Sequence, residues 1–357
     1  MRQQYRHFLR EGLARFRPGW LLRGATRYLS TPLATHRARP ITGPVFASFV
    51  VSYSCNLRCV FCDAWRSAGG ARQGERLSWD AISAAVSDLA QLGTMGLGIT
   101  GGEPLLYPRL FDLIELAKSE GMVVHLNTNA TKIDEDFASR IVELGVDSVN
   151  VSLDASQAGQ HDELRGREGA FNAACQGLEL LKAARKPSSR PRLVIVSVVD
   201  AETDVDGLHR LAEELGVDGL GFIPRHEIGG VPAAAMDAAS MDGLDNKLKQ
   251  LRSTSSILDN SQAYLDLFPR ALRGEPAEMT CHTGVNHLVF DELGRIYPCM
   301  PYNAADRACG DLHRTSLREW WGSEEHSKAI KETRACRDCY WNCHTEMNLL
   351  FRRRGRF

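Results

Sequence analysis

Phe46-Ala47-Ser48-Phe49-Val50-Val51-Ser52-Tyr53-Ser54, followed at once by Cys55-Asn56-Leu57-Arg58-Cys59-Val60-Phe61-Cys62, is the stretch on which the reading of this chain turns. Its first nine residues are rich in aromatic and β-branched side chains and predict a strand over 46–54. The strand runs directly into three cysteines with C-x3-C-x2-C spacing, which is the spacing of metal ligands. Cys55, Cys59 and Cys62 are the only cysteines in the first 174 residues, so nothing nearby completes a four-thiolate site. A zinc ion would need a fourth ligand, for which Asp63 is the close candidate. An iron-sulfur cubane would instead keep one iron without a protein ligand, open to a small molecule.

From residue 46 onward, apolar runs alternate with amphipathic ones. Strands are expected at 46–54, 96–100, 123–128, 148–154, 193–199 and 219–223. Helices are expected at 78–92 with Ser78 as N-cap, 109–119, 134–144 stopped by Gly145, 170–184, and 205–215 stopped by Gly216. Strands followed one by one by helices imply parallel pairing, and six such units make an incomplete (β/α)6 barrel of TIM type. Binding chemistry in such folds gathers at the C-terminal ends of the strands, where the cysteine loop lies. So do three further motifs: Gly101-Gly102-Glu103-Pro104 after the second strand, Asn127-Thr128-Asn129-Ala130 after the third, and Val151-Ser152-Leu153-Asp154 with His161-Asp162-Glu163-Leu164-Arg165-Gly166 after the fourth. Taken singly, GGEP is a turn, Arg165 a surface ion pair and Ser152 a polar residue on a half-buried strand.

Taken together, the cysteine spacing with Phe61 before its third member, GGEP and the VSLD…HDELR pair resemble the signature of the radical S-adenosylmethionine (radical SAM) enzymes. The resemblance implies a [4Fe-4S] cluster on Cys55, Cys59 and Cys62, whose open iron chelates the amino and carboxylate groups of SAM. An electron from it breaks the C5′–S bond, and the 5′-deoxyadenosyl radical takes a hydrogen from the substrate. It further implies that the backbone of Gly101, Gly102, Glu103 and Pro104 holds the SAM amino group. Phe61, Asn129 and Asp154 would line the cofactor, and Ser152 and Arg165 would meet its carboxylate and ribose, as in the branch containing the anaerobic sulfatase-maturing enzymes. Ala130 departs from the glycine usual in the third motif. A flavodoxin or ferredoxin is the electron donor such an enzyme would use.

A second cysteine group begins with Cys281 and continues through Cys299 to Cys336-x2-Cys339-x3-Cys343. The segment 289–299 reads as a hairpin turning at Glu292–Gly294. The region resembles the SPASM/Twitch extension of radical SAM enzymes, but its six cysteines lack the C-x2-C-x5-C-x3-C block. One auxiliary [4Fe-4S] cluster is therefore expected, on Cys281, Cys299, Cys336 and Cys339, with Cys343 able to replace one of them. Cys309 lacks motif support, a zinc ribbon is the plain alternative, and Cys175 reads as a core thiol. The expected organisation is a basic helical arm at 1–45, the partial barrel at 46–240, a helical connector at 241–280, a small cysteine-rich α+β domain at 281–348 and a basic tail at 349–357.

Composition fits a cytoplasmic enzyme: 43% of residues are hydrophobic, enough for a large core, and no apolar run approaches the ~20 residues of a spanning helix. Cysteines grouped at metal-ligand spacing without a signal peptide suit a reducing compartment. The net charge of −1 is unevenly spread, because residues 1–40 hold nine arginines against Glu11. Tyr5, Phe8, Leu9, Leu13 and Phe16 recur at helical spacing, and Pro18 is expected to limit that helix. Such an arm can lie on an anionic membrane or pack beneath its own barrel, the second being the preferred reading. Nucleic acid is not an expected partner. A fold shared by many reactions does not name the substrate. An N-terminal stretch of 45 residues is short for a peptide-recognition domain, which favours a small molecule, a lipid, or a peptide delivered by a separate protein. Asp63, Trp65, Arg225, His226 and Glu227 are the positional candidates for touching it; a non-catalytic iron-sulfur or zinc scaffold is the reading from another class.

Overall fold

The computed structural model describes residues 18–62, 64–67, 74–185, 190–200, 202–225, 238–303, 307–337 and 339–351. The described part of the chain begins with helix α1 (Pro18–Arg37), then alternates: β1 (Phe46–Val50), α2 (Trp79–Gln91), β2 (Gly96–Thr100), α3 (Leu110–Ser119), β3 (Val123–Thr128), α4 (Glu135–Glu143), β4 (Ser148–Ser152), α5 (Ala158–Arg165), α6 (Ala170–Ala184), β5 (Arg192–Val199), α7 (Val205–Leu215) and β6 (Gly219–Pro224). After α8 (Ala238–Thr254) come β7 (His287–Asp291), β8 (Arg295–Tyr297), β9 (Gly310–Asp311), α9 (Glu324–Ala335) and α10 (Asn342–Leu349).

The helix boundaries follow from local chemistry. Ser78 Oγ accepts from the Ala81 amide, and the Asp134 and Asp204 carboxylates accept from the Phe137 and Gly207 amides, so each supplies an acceptor that the first turn lacks. Gly216 ends α7 in the left-handed region at φ +65°. Pro18 is the first residue of α1. A proline is tolerated at the start of this 20-residue helix, because the N–H it lacks is unpaired at a first turn anyway. The amphipathic segment over 5–16 lies outside the described residues.

The strands form one sheet in the order β6-β5-β4-β3-β2-β1-β7-β8-β9, parallel from β6 through β7 and antiparallel beyond. The six expected strands are all present, and the barrel is open. β1 does not meet β6; its second neighbour is β7, with Phe49 opposite Phe290 and their rings 4.4 Å apart. The hairpin of the cysteine-rich region thus extends the barrel sheet itself. Its turn falls where expected, with Gly294 at φ +79°.

Alternation along the strands splits the sheet into two unlike faces. Phe49, Leu97, Leu126, Val149, Ile195 and Phe222 point to the helix-covered side and are fully buried. Each contributes on the order of 1.5–3 kcal/mol by leaving water. The other face carries Ser48, His125, Asn127, Asn150 and Ser152, with Asn150 donating to Asn127 Oδ1 at 2.9 Å and His125 paired with Ser148. Gly96 and Gly98 on this face leave room for the Phe46 ring, which a Cβ at either would strike.

Candidate active site

The first strand ends at Val50 rather than continuing to 54, because its loop turns onto the loop after β2. The Gly102 amide donates to Ser52 O at 2.7 Å and the Glu103 amide to Ser54 O at 2.8 Å. This contact is what the paired glycines permit. A Cβ on Gly101, which sits at φ +145°, would lie 2.3 Å from Ser52 O, and one on Gly102 would lie 2.3 Å from Ser54 O. The close approach expected toward a ligand is thus made first to the cysteine loop, and two of the motif's amides are engaged there.

Glu103 is buried and fully used. Its carboxylate accepts from the Leu105 amide (3.0 Å), the Thr128 hydroxyl (2.7 Å) and the Asn129 amide (2.8 Å). Burial nevertheless raises its pKa, with these donors and the Arg165 charge pulling the other way. Asn129 in turn donates to Asn56 Oδ1 at 2.9 Å, and Asn56 donates to the Thr131 hydroxyl at 2.8 Å. The loops after β1, β2 and β3 are therefore tied by one polar network. Ala130, where a glycine would be unstrained, holds φ +60° at a cost of about 1 kcal/mol.

The other side of the cysteine loop is held by α5. The Arg58 and Val60 amides donate to the Arg165 and Leu164 carbonyls, both at 3.0 Å, so Cys59 is bracketed by backbone bonds to the end of that helix. Gly166 closes the helix in the left-handed region, and a Cβ there would strike Arg58 O at 2.5 Å. The Arg165 side chain is buried against Asp154 at 2.5 Å and Cys59 Sγ at 3.7 Å, with its Cζ 5.4 Å from the Phe61 ring centre. Burial opposes its charge, but Asp154 and Cys59 outweigh that and hold its pKa above the ordinary arginine value. Its Nε is buried without a hydrogen-bond partner. Asp154 also accepts from the Val198 amide at 2.9 Å, and its own amide donates to His161 Nδ1 at 3.2 Å. Neither partnership of Arg165 was legible in the sequence, where the residue reads as an exposed ion pair or a ligand contact. Ser152 is half-buried on the polar face.

Cys55, Cys59 and Cys62 gather with Leu57, Phe61 and Ala170 in a small apolar nest. Burial pushes the Cys55 thiol up to about 11, helped by the charges of Glu103, Cys59 and Cys62, so the three sulfurs sense one another. Trp65 donates to Cys59 O at 3.1 Å. Among the remaining substrate-contact candidates, Arg225 pairs with Asp200 at 3.4 Å beyond β5 and β6, while Asp63, His226 and Glu227 lie outside the described residues.

In the second group the Cys281 sulfur lies 2.9 Å from the Thr283 hydroxyl. Burial raises the Cys339 thiol, and Cys281, Cys343 and Cys336 raise it further, which puts these four sulfurs in one neighbourhood. Cys299 is buried past the end of β8, and the next amide, Met300, donates to His344 Nε2 beside Cys343 at 3.3 Å. The Cys309 thiol donates to Ile296 O at 3.3 Å, and Cys175 packs half-buried against the main core. The β7–β8 register sets Cys299 level with the start of β1, whereas Cys55 follows its end. The two groups therefore stand at opposite ends of the sheet, separated along the polar face by at least roughly the 13 Å length of β1.

Among the described residues no three His, Cys, Asp or Glu side chains converge on a single metal ion. A cubane would spread its thiolates over separate irons rather than gather them on one. The Radical SAM superfamily model matches residues 49–211, and the SPASM model, an iron-sulfur cluster-binding domain, matches 281–340. The AdoMet-dependent heme synthase of Methanosarcina barkeri is 24% identical over 312 residues, covering 81% of this chain and 85% of that protein. The mycofactocin maturase MftC of Mycolicibacterium smegmatis is 28% identical over 317 residues, covering 84% and 76%. Among solved structures, Streptococcus suis SuiB bound to precursor peptide SuiA superposes with a TM-score of 0.65 at 15% identity, covering 88% of this chain and 72% of SuiB. anSMEcpe with bound AdoMet gives 0.63 at 21% identity, covering 81% and 84%. With both ends of the sheet so furnished and so matched, the chain belongs to the radical SAM superfamily, with a [4Fe-4S] cluster that binds SAM and a C-terminal SPASM iron-sulfur domain.

Proposed function

We propose that Cys55, Cys59 and Cys62 hold the SAM-binding cluster, and that the enzyme takes a hydrogen from a substrate lying on the polar face of the sheet. The observation that carries this reading is the placement of the three thiols between the Glu103 network and the Asp154–Arg165 pair, at the C-terminal ends of the parallel strands. When bound there, the cluster supplies the electron that cleaves SAM to a 5′-deoxyadenosyl radical. The chain's own residues orient and enclose. Arg165 steadies Cys59 and keeps its Nε–H for an anionic group such as the SAM carboxylate, Phe61 covers the guanidinium, and Ser152, Asn129 and the carbonyls of Gly101 to Pro104 line the approach. His125, Asn127 and Asn150 offer the polar groups that would seat the substrate.

At the far end, Cys281, Cys336, Cys339 and either Cys299 or Cys343 hold one auxiliary cluster. Its place across the polar face suits it to take the electron released when the substrate is oxidised or a new bond forms. A small molecule or lipid is the first substrate class. A peptide brought by a separate recognition protein is the second, favoured by the mycofactocin maturases among the relatives. A flavodoxin or ferredoxin would supply electrons.

Anaerobic reconstitution tests this. Wild-type protein should hold about eight irons, as two cubanes require, and release 5′-deoxyadenosine when reduced. Changing Cys55, Cys59 and Cys62 to alanine should leave about half the iron and no cleavage; full cleavage in that variant would refute the assignment. Deuterium transferred into 5′-deoxyadenosine from fractions of a deuterated host extract would identify the substrate pool.

A further inference from the structure

Helix α1 is packed with its polar side inward. Its buried face is Arg27, Thr31, Ala34 and Thr35, with Ala38 just beyond. Arg27 donates to Gly43 O (3.1 Å), Leu92 O (3.0 Å) and Gly93 O (2.6 Å), capping the carbonyl end of α2. Thr31 and Thr35 bond back to the helix's own carbonyls, and Thr35 meets His282 Nδ1 at 2.8 Å. The opposite face carries Leu22, Leu29 and Leu33, separated by seven and four residues and hence on one stripe. They are 69%, 76% and 44% exposed, so neither α2 nor the SPASM region covers them.

Two observations say what meets this stripe. No acid occurs between Gly12 and Cys62, and Arg23, Arg37 and Arg39 are exposed on and beside the helix. The basic C-terminal segment also starts here. The Phe351 ring stacks on Tyr28 of α1 at 5.1 Å and the Tyr28 hydroxyl donates to Leu350 O at 3.2 Å, after which the chain continues as Arg352-Arg353-Arg354-Gly355-Arg356. Leu350 and Phe351, more than 300 residues from α1 in sequence, are thus fastened to this leucine-bearing helix. A protein partner would suit exposed leucines and a polyanion would suit arginines; the two together on an acid-free helix suit a bilayer interface with anionic headgroups. No helix among the described residues is long and apolar enough to cross a membrane, so the contact is peripheral.

We propose that the outer face of α1, with Arg23, Arg37 and Arg39, docks the enzyme on an anionic lipid surface. The test is sedimentation of the full-length reconstituted protein with vesicles of phosphatidylcholine, with or without phosphatidylglycerol. Binding to the anionic vesicles should be at least about tenfold tighter and should be released by high salt, which screens the headgroup charge. Leu22→Ser, Leu29→Ser and Leu33→Ser together should weaken it at least about tenfold. Their melting temperature and SAM cleavage should stay unchanged, since the side chains lie in water. Replacing Arg23, Arg37 and Arg39 with serine should weaken binding and flatten its salt dependence. The proposal is overturned if the leucine variant binds as tightly as wild type, or if zwitterionic vesicles bind equally. It is also overturned if the protein is a dimer that the leucine variant makes monomeric with no vesicle binding in either. Binding to single-stranded RNA in place of vesicles, indifferent to the leucines, would overturn it, as would vesicle binding seen only after residues 1–17 are removed.

Discussion

Replacing Arg165 with methionine removes one half of a buried ion pair and leaves the other. The Asp154 side chain is fully buried and, among the described residues, keeps the Val198 amide as the one donor to Oδ1, while Oδ2 faces the site the guanidinium occupied at 2.5 Å. Two charges about 4 Å apart at an effective dielectric near 20 interact by about 4 kcal/mol, and stranding one member of a buried pair costs about 3–5 kcal/mol. Because one oxygen stays hydrogen-bonded, the expected loss lies at the low end, about 3 kcal/mol. Urea unfolding of the anaerobic apoprotein should show it as a lower midpoint at unchanged m-value. Changing Asp154 to asparagine in the same background removes the stranded charge and should recover at least half of the loss. In the reconstituted protein the same arginine lies beside Cys59, so its removal should also move the SAM-binding cluster to a more negative potential. A single variant costing under about 1 kcal/mol, or a double variant no more stable than the single, would show that the pair is not what holds α5 to the cysteine loop.

Gly102→Ala should lose several kcal/mol and most of the SAM-binding cluster, because its Cβ meets the Ser54 carbonyl rather than a movable side chain; iron content and thermal melting check this. Tyr53→Phe removes a hydroxyl shared by Asp291 and Asn303, both at 2.7 Å, and should cost about 1–3 kcal/mol by uncoupling the cysteine loop from the β7–β8 turn. Burial lowers His326 to about 4, so its neutral form is favoured in the fold and the unfolded chain takes the proton first. Stability from this residue is therefore complete above about 6.5 and lost as pH falls toward 4. Urea midpoints at pH 7.5 and 5 should differ less in His326→Gln than in wild type. Changing Cys281 and Cys299 to alanine should leave SAM cleavage measurable while stopping product formation in a folded protein that has lost the far cluster; normal product yield would leave that cluster a structural role.

The sequence by itself determined the strand–helix alternation, the six parallel strands and the identity of the sulfur ligands to be tested. These rest on local periodicity, the cap at Ser78, the stops at Gly145 and Gly216, and cysteine spacing, none of which needs distant neighbours. The placement of helix α1 was not legible, because its polar side faces inward and only the packing of Arg27, Thr31 and Thr35 against the rest of the chain accounts for it. Tertiary structure alone decided that β7 pairs with β1, since a parallel pairing across more than 230 residues has no local sequence signal. It also decided that Gly101 and Gly102 make room for the cysteine loop, that Arg165 joins Asp154 to Cys59, and that the two cysteine groups stand at opposite ends of one polar face. Each of these is a contact between segments that meet only when the sheet is assembled, and contacts of that kind are set by topology rather than by spacing along the chain.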